Sequence, residues 1–359
     1  MRSTLISRRG FMRAAGGLFL AGLVPGAAFA LEKTDAVFAA AYLDPDGYFG
    51  LATVAEDGTI IDRSPLPRRA HGLAFDPNFN RVVAFARRPG TFAAIFDRTG
   101  RAAPVVITSP EGRHFYGHGA FSRDGRLLYA SENDFDNARG VIGLYDATNG
   151  FARIGEYPTY GVGPHDLSIS LDGKLLIVAN GGIETHPDFG RTKLNLDRME
   201  PSLALIDAAS GALVEKHDLP ANLKQLSTRH IDLSAGNDIW FACQYEGARD
   251  DLPPLIGRFR QGDALQFIDL PEETARNMAN YVGAIAVNRA DNLVAATSPR
   301  GGTYVVLDAT SGQLVQEVAL QGASGVAAGP HGFGISTERG MFDARRSPVN
   351  WDQHVVRLT

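Results

Sequence analysis

His118-Gly119-Ala120-Phe121-Ser122-Arg123-Asp124-Gly125-Arg126-Leu127-Leu128-Tyr129-Ala130 returns 47 residues later (165 − 118) as His165-Asp166-Leu167-Ser168-Ile169-Ser170-Leu171-Asp172-Gly173-Lys174-Leu175-Leu176-Ile177-Val178. Each copy reads as a short strand, an Asp-Gly turn and a second strand. The Asp-Gly pair supplies the positive φ that a tight hairpin needs. A third strand follows and ends in an acidic, small-residue turn, as in Leu205-Ile206-Asp207-Ala208-Ala209-Ser210-Gly211 and Val306-Leu307-Asp308-Ala309-Thr310-Ser311-Gly312. A fourth runs from Leu213 to Leu219 or from Leu314 to Leu320. The unit is therefore four antiparallel strands, A to D, at a period near 47, which is the mark of a β-propeller blade.

Working outward, units start at His71, His118, His165, His230, Gly283 and about His331. Residues 36–67 read as strands B, C and D with no A. Residues 331–359 align without a gap to 118–146 and read as A, B and C. Joining the two chain ends in one blade closes the ring and removes an exposed edge. If thirty residues are a leader, 329 of 359 remain, and at this period they make seven blades. Six blades with extra edge strands is the other count that the strands permit.

The leader is residues 1–30. Ser7-Arg8-Arg9-Gly10-Phe11-Met12-Arg13 is a twin-arginine stretch, followed by a Gly/Ala-rich apolar run too short and interrupted to span a membrane. Ala28-Phe29-Ala30 is a small-x-small cleavage signal. The expectation is a single mature domain, residues 31–359, exported folded by the twin-arginine pathway to the periplasm. The route often carries proteins with a cofactor already inserted. No membrane span is expected in the mature chain, and a monomer is expected.

Composition narrows the function. A net charge of −5 without a basic run after the leader argues against nucleic acid. The single cysteine, Cys243, cannot form an intrachain disulfide, and in Trp240-Phe241-Ala242-Cys243 it reads as a buried, inert thiol. No nucleophile elbow, phosphate loop or haem-attachment motif is present.

Blade geometry turns the histidines into a constellation. If strand A runs down the channel and B returns, the D–A connections and B–C loops share one face. The D–A connections carry His71, His118, His165, His230 and His331, five of the nine histidines. The fifth unit has Gly283 there. Neutral imidazole is a common ligand for copper, zinc and iron, so the expectation is a copper or iron ion held by these five at the channel mouth, with Glu132 as an oxygen ligand. The alternative is that each histidine merely belongs to the blade pattern, capping a turn or bonding the next blade. His114 is expected at the surface or beside a ligand, and His217 and His354 receive no role. The insertion Gly181–Pro201, with His186, Asp188, Arg191 and Lys193, is a candidate lid or partner contact, the alternative being a tolerated surface loop.

The unit resembles the YVTN-type propeller repeat, whose pattern runs Gly-Pro-His-Gly-hydrophobic and then Asp-Gly, on Gly163-Pro164-His165 and Gly329-Pro330-His331-Gly332. The whole chain, with its export signal and Thr185-His186-Pro187-Asp188-Phe189-Gly190-Arg191, resembles a family of exported bacterial YVTN-like propeller proteins of about 360 residues with a domain of unknown function. Such proteins are often encoded beside imelysin-like iron-uptake proteins and a di-haem thiol-oxidoreductase-like protein. The resemblance implies a periplasmic role in iron or other metal uptake, with those proteins as partners, and supplies no catalytic residues. A metal-dependent enzyme, oxidase or lactonase-like, and a non-catalytic docking scaffold stand as alternatives.

Overall fold

The protein is described by a computed structural model over residues 37–98 and 102–358; the leader and its cleavage site lie outside the described residues. Seven four-stranded antiparallel sheets form a ring. The fold is a seven-bladed β-propeller, so the six-blade count is excluded. Numbering the blades as the repeat does, strand A is Ala70–Asp76 in blade 1, Arg113–Phe121 in blade 2, Pro164–Ile169 in blade 3, Leu226–Leu233 in blade 4, Ala284–Asn288 in blade 5 and Ala323–Ala328 in blade 6. These strands touch their neighbours around the axis and wall the channel.

Alternation explains the packing. Strands B and C carry nearly continuous apolar runs, such as Leu175–Asn180 and Ser202–Asp207 in blade 3, because both their faces meet neighbouring blades. Strand D is half exposed, as in Leu213–Asp218. The core lies between blades, with contacts such as Phe85 of blade 1 on Phe115 of blade 2, ring centroids 6.1 Å apart. The A–B hairpins of blades 2 and 3 turn on Gly125 and Gly173, at φ +70° and +76°, as Asp-Gly requires.

The ring closes where the chain ends meet, but not in the expected register. Blade 6 is complete by itself: Ala323–Ala328, Phe333–Thr337, and two short outer strands, Met341–Phe342 and Arg345–Arg346. Asn350–Arg357 is then strand A of blade 7, paired with Phe38–Leu43, Phe49–Val54 and Ile60–Pro65 as B, C and D. Ala40 faces Val355 and Phe38 faces Arg357. Reading residues 36–67 as B, C and D was right. Reading 331–359 as A, B and C was wrong, because two-residue outer strands leave no alternating pattern and a gap-free alignment runs straight over them.

Candidate functional site

Strand A departs from regular pairing at one level of the channel. In blade 1 the register shifts between Ala70 and Leu73, in blade 2 between Phe115 and Gly119, in blade 3 between Pro164 and Asp166, in blade 4 between Thr228 and His230, and in blade 7 between Trp351 and Val355. A bulge frees residues from the ladder and re-aims their side chains. The residues at or beside these bulges are His71, His118, His165, His230 and His354. Their rings meet at the axis. His354 lies 4.6 Å from His71, 4.7 Å from His118 and 4.7 Å from His230, centroid to centroid, and His165 lies 4.8 Å from His230. The remaining two blades leave the layer open: blade 6 places Gly325 at its bulge and blade 5 has Gly283 just before an unbulged strand.

Close packing of the rings needs small neighbours. A Cβ on Gly72 would come within 2.6 Å of His118 Nδ1, and one on Gly117, at φ +117°, within 2.6 Å of His71 Cδ2. Any larger residue there pushes a histidine off the axis.

Burial keeps four of these five imidazoles neutral. Desolvation, then the neighbouring histidines and Arg87, hold His71 and His354 well below the ordinary imidazole range. Desolvation and Arg229 do the same for His165, and desolvation and His118 bring His230 down to about 3. One carboxylate serves this layer. Asp166 Oδ1 lies 3.2 Å from His118 Nδ1 and Oδ2 3.9 Å from His230 Nδ1, while Oδ2 accepts the Ile231 N–H at 3.0 Å. Burial opposes its charge, but these neighbours hold the Asp166 carboxyl below its usual value.

The bonds on one ring nitrogen decide what the other offers. His118 donates Nδ1–H to Asp166, which turns its Nε2 away from the carboxylate; that atom is buried and without a hydrogen-bond partner. His354 Nε2 and His71 Nδ1 are buried and unpartnered too. His165 differs. Its Nδ1 accepts from Arg229 Nη1 at 3.1 Å, so the proton of the neutral ring sits on Nε2, which is buried and unpartnered. The layer therefore holds buried, unpartnered ring nitrogens at His71, His118 and His354, and an unused N–H at His165.

The histidines separate two chambers. The one above, about 150 Å³, is walled by Arg87, Arg88, Arg229 and Arg300 and by Arg191 and Lys193 of the insertion, with His71, His165 and His230 in its floor. The one below, about 330 Å³, has Asp166, Asp232, His118, His230 and His354 among its lining.

A family model described as "Protein of unknown function (DUF1513)" matches residues 64–358. The chain belongs to this family. No curated protein matches it. Among solved structures it is similar to one titled "Kuenenia stuttgartiensis Hydrazine Synthase", with TM-score 0.63 and 15% identity over 83% of this chain and 91% of that one. At that identity the likeness shows the propeller alone.

In this family member, His71, His118, His165 and His230 come together as placed by the repeat. His331 does not. It lies in the A–B hairpin of blade 6, on the opposite face, 93% exposed and 3.6 Å from Asp291. Its place is taken by His354, which the shifted reading of the last strand had set aside. Closing blade 7 with that last strand would have found it. Glu132 is also not in the layer. It lies in strand B of blade 2 and points into the blade, accepting from Tyr145 Oη at 2.6 Å and Arg153 Nη2 at 3.0 Å. His114 is buried, not exposed: Nδ1 lies 2.8 Å from Phe115 O and Nε2 3.2 Å from Asn133 Nδ2. Cys243 is buried and burial pushes its thiol up. The insertion divides. Arg191 and Lys193 face the upper chamber, Lys193 paired with Glu246, whereas His186 contacts Phe135 and Asp188 is exposed. Arg229, beside His230 in the sequence, was missed; a basic residue next to a bulge histidine was its only signal.

Proposed function

We propose that the protein binds a first-row transition ion, copper before iron, between His71, His118 and His354, and that after twin-arginine export it serves metal handling in the periplasm. The observation that carries this reading is the set of three imidazoles, His71 and His118 buried and His354 half-buried, each with a buried, unpartnered nitrogen on the channel axis, one of them braced by Asp166. The ligand atoms of His71, His118 and His354 lie within 4.8 Å of one another. A tetrahedral ion with nitrogens at about 2.1 Å wants them roughly 3.4 Å apart, so the rings draw in by about an ångström on binding. A neutral, all-nitrogen set without a carboxylate favours copper over iron, since the affinity order peaks at copper. His118 has the carboxylate–histidine arrangement that fixes a ligand's tautomer and orientation. Arg87 near His71 and His354 opposes a cation, and its ion pair with Asp352 at 3.9 Å offsets part of that charge.

Metal analysis of protein from the periplasm, and titration of the chelated protein with copper, iron and zinc, test the reading. Wild type should take up one equivalent of copper. His118→Ala and His354→Ala should lose it, while His331→Ala should bind like wild type. A wild type that stays metal-free, or a His331→Ala loss matching that of His118→Ala, sinks it.

A further inference from the structure

We infer a second site: the chamber above the histidine layer binds a small, multiply charged oxyanion, a phosphate or a polycarboxylate, between Arg88, Arg229 and Arg300 with the His165 Nε2–H in the floor. This inference does not rest on the metal reading, because none of these groups is among the three proposed ligands.

Six cationic side chains wall the chamber. Two carboxylates lie close to them, and both are shared. Glu246 pairs with Lys193 and lies 3.6 Å from Arg229 Nη2. Asp352 is held by Arg69 through bonds of 2.7 and 3.0 Å and reaches Arg87 only at 3.9 Å. Guanidinium groups withdrawn from water without counter-charge are costly. Burial and then mutual repulsion accordingly lower Arg87 and Arg229 and bring Arg191 down to about 10.

Donors give the second, independent observation. Arg229 is 3% exposed, and its Nε is buried with no hydrogen-bond partner. Arg88 Nη1 and Arg87 Nε and Nη1 are in the same condition, as is His165 Nε2. Buried donors are nearly always satisfied, so a group of them around one cavity marks a missing acceptor. Arginine rather than lysine predominates, which suits planar, bidentate acceptors such as carboxylate and phosphate. The cavity, about 150 Å³, is smaller than pockets for drug-sized ligands. The side chains are also held for the task. Arg88 lies over Tyr116 at 5.5 Å and Arg300 over Tyr281 at 4.1 Å, which orients the guanidiniums without neutralising them.

The test is calorimetry on the chelated full chain at low ionic strength, with inorganic phosphate, citrate and acetate as probes. Phosphate or citrate should bind well ahead of acetate, and whichever of the two is tighter names the source. Arg229→Gln and Arg88→Gln should each weaken binding roughly ten- to hundredfold, the range of a lost charge-assisted hydrogen bond. Arg300 is exposed, so Arg300→Gln keeps the fold and should weaken binding severalfold even where a buried variant misfolds. Added salt should weaken it further. No heat from any probe, or affinities unchanged in all three variants, overturns the inference. Binding that appears only in metal-loaded protein also overturns it. Copper uptake without anion binding leaves the metal reading standing, and anion binding without metal uptake does the reverse.

Discussion

Glu132 and Asp166 are both carboxylates taken out of water beside a histidine-bearing strand, yet they belong to different kinds of region. Glu132 sits inside blade 2, fully buried, with Tyr145 and Arg153 bonded to its two oxygens. Asp166 sits at the axis and reaches His118 of blade 2 and the backbone and imidazole of blade 4. Burial raises the Glu132 carboxyl despite Arg153, whereas the neighbours of Asp166 prevail over burial and lower it. In blade 2 both Glu132 oxygens find their partners within the blade. At the axis one carboxylate serves several imidazoles, and ring nitrogens are left over. What differs is reach: Glu132 ties one blade together, whereas Asp166 of blade 3 spans to blades 2 and 4.

Acid should separate the two regions most strongly. The depressed axial histidines are neutral in the fold and take up protons in the unfolded chain from about pH 6.5 downward. Between that value and the folded one the unfolded state binds more protons, so stability is full above pH 6.5 and falls as pH drops. His230, at about 3 when folded, alone costs about 2 kcal/mol by pH 5. His71, His165 and His354 shift in the same direction. Glu132 has the opposite sign: a raised carboxyl gains stability as pH falls through its folded value towards its unfolded one. Urea midpoints of the chelated protein should therefore drop steeply from pH 7 to pH 5. A flat profile breaks the contrast.

The next effect lies in the blade. Glu132→Ala strips Arg153 and Tyr145 of a shared acceptor and opens a buried space. Arg153 keeps Glu156 at 2.8 Å, so the loss is about 2–4 kcal/mol, at or below the range for breaking a buried pair. Copper stoichiometry should not change. Thermal melts and metal analysis of one preparation check both halves, and a variant that loses metal while melting normally would return Glu132 to the site.

Asp166→Asn reverses that pattern. The amide keeps one acceptor oxygen but turns an NH2 on an N–H that the other oxygen accepts, so stability should fall by about 1–2 kcal/mol, less than in Glu132→Ala. Copper affinity should fall about ten- to hundredfold, as when the support of a metal-bound histidine is removed. Competition titration against a chelator of known strength reads it. An unchanged affinity would mean that the His118–Asp166 contact braces the ring and nothing more.

How far these regions could be read from the sequence follows the same line. The seven blades were legible because alternation and turn signals recur near one period, with Asp-Gly in blades 2 and 3 and Asn- or Gly-bearing turns elsewhere, and four ring histidines were legible because they ride on that repeat. What failed was register. His331 and His354 exchanged places because the last strand pairs with the first strands of the chain to make blade 7, and only ring closure, a long-range fact, shows it. Glu132 was assigned to a loop because the B strand of blade 2 runs on to Asp134, beyond what alternation alone delimits. The anion chamber was visible only as separate arginines on one face. That they converge around one cavity depends on seven blades sharing an axis, which no local pattern carries.

The insertion of blade 3 is where the contrast can be sharpened most finely. Its outer part, with exposed Asp188, behaves as tolerated surface, while Arg191 and Lys193 belong to the chamber. Asn195 joins the two parts to the blade. It is buried, its Oδ1 accepts the Glu184 N–H at 2.7 Å, and its Nδ2 donates to Gly182 O at 2.9 Å. Asn195→Ala leaves both backbone groups unpaired and should cost about 1 kcal/mol, most of it local opening rather than global unfolding. Hydrogen exchange across residues 184–195 should speed up, copper binding should hold, and phosphate or citrate affinity should fall by a small factor as Arg191 and Lys193 lose their fixed position. If exchange rises and anion affinity does not move, the insertion is scaffold decoration and the chamber is complete without it; if both move together, the loop belongs to the axis.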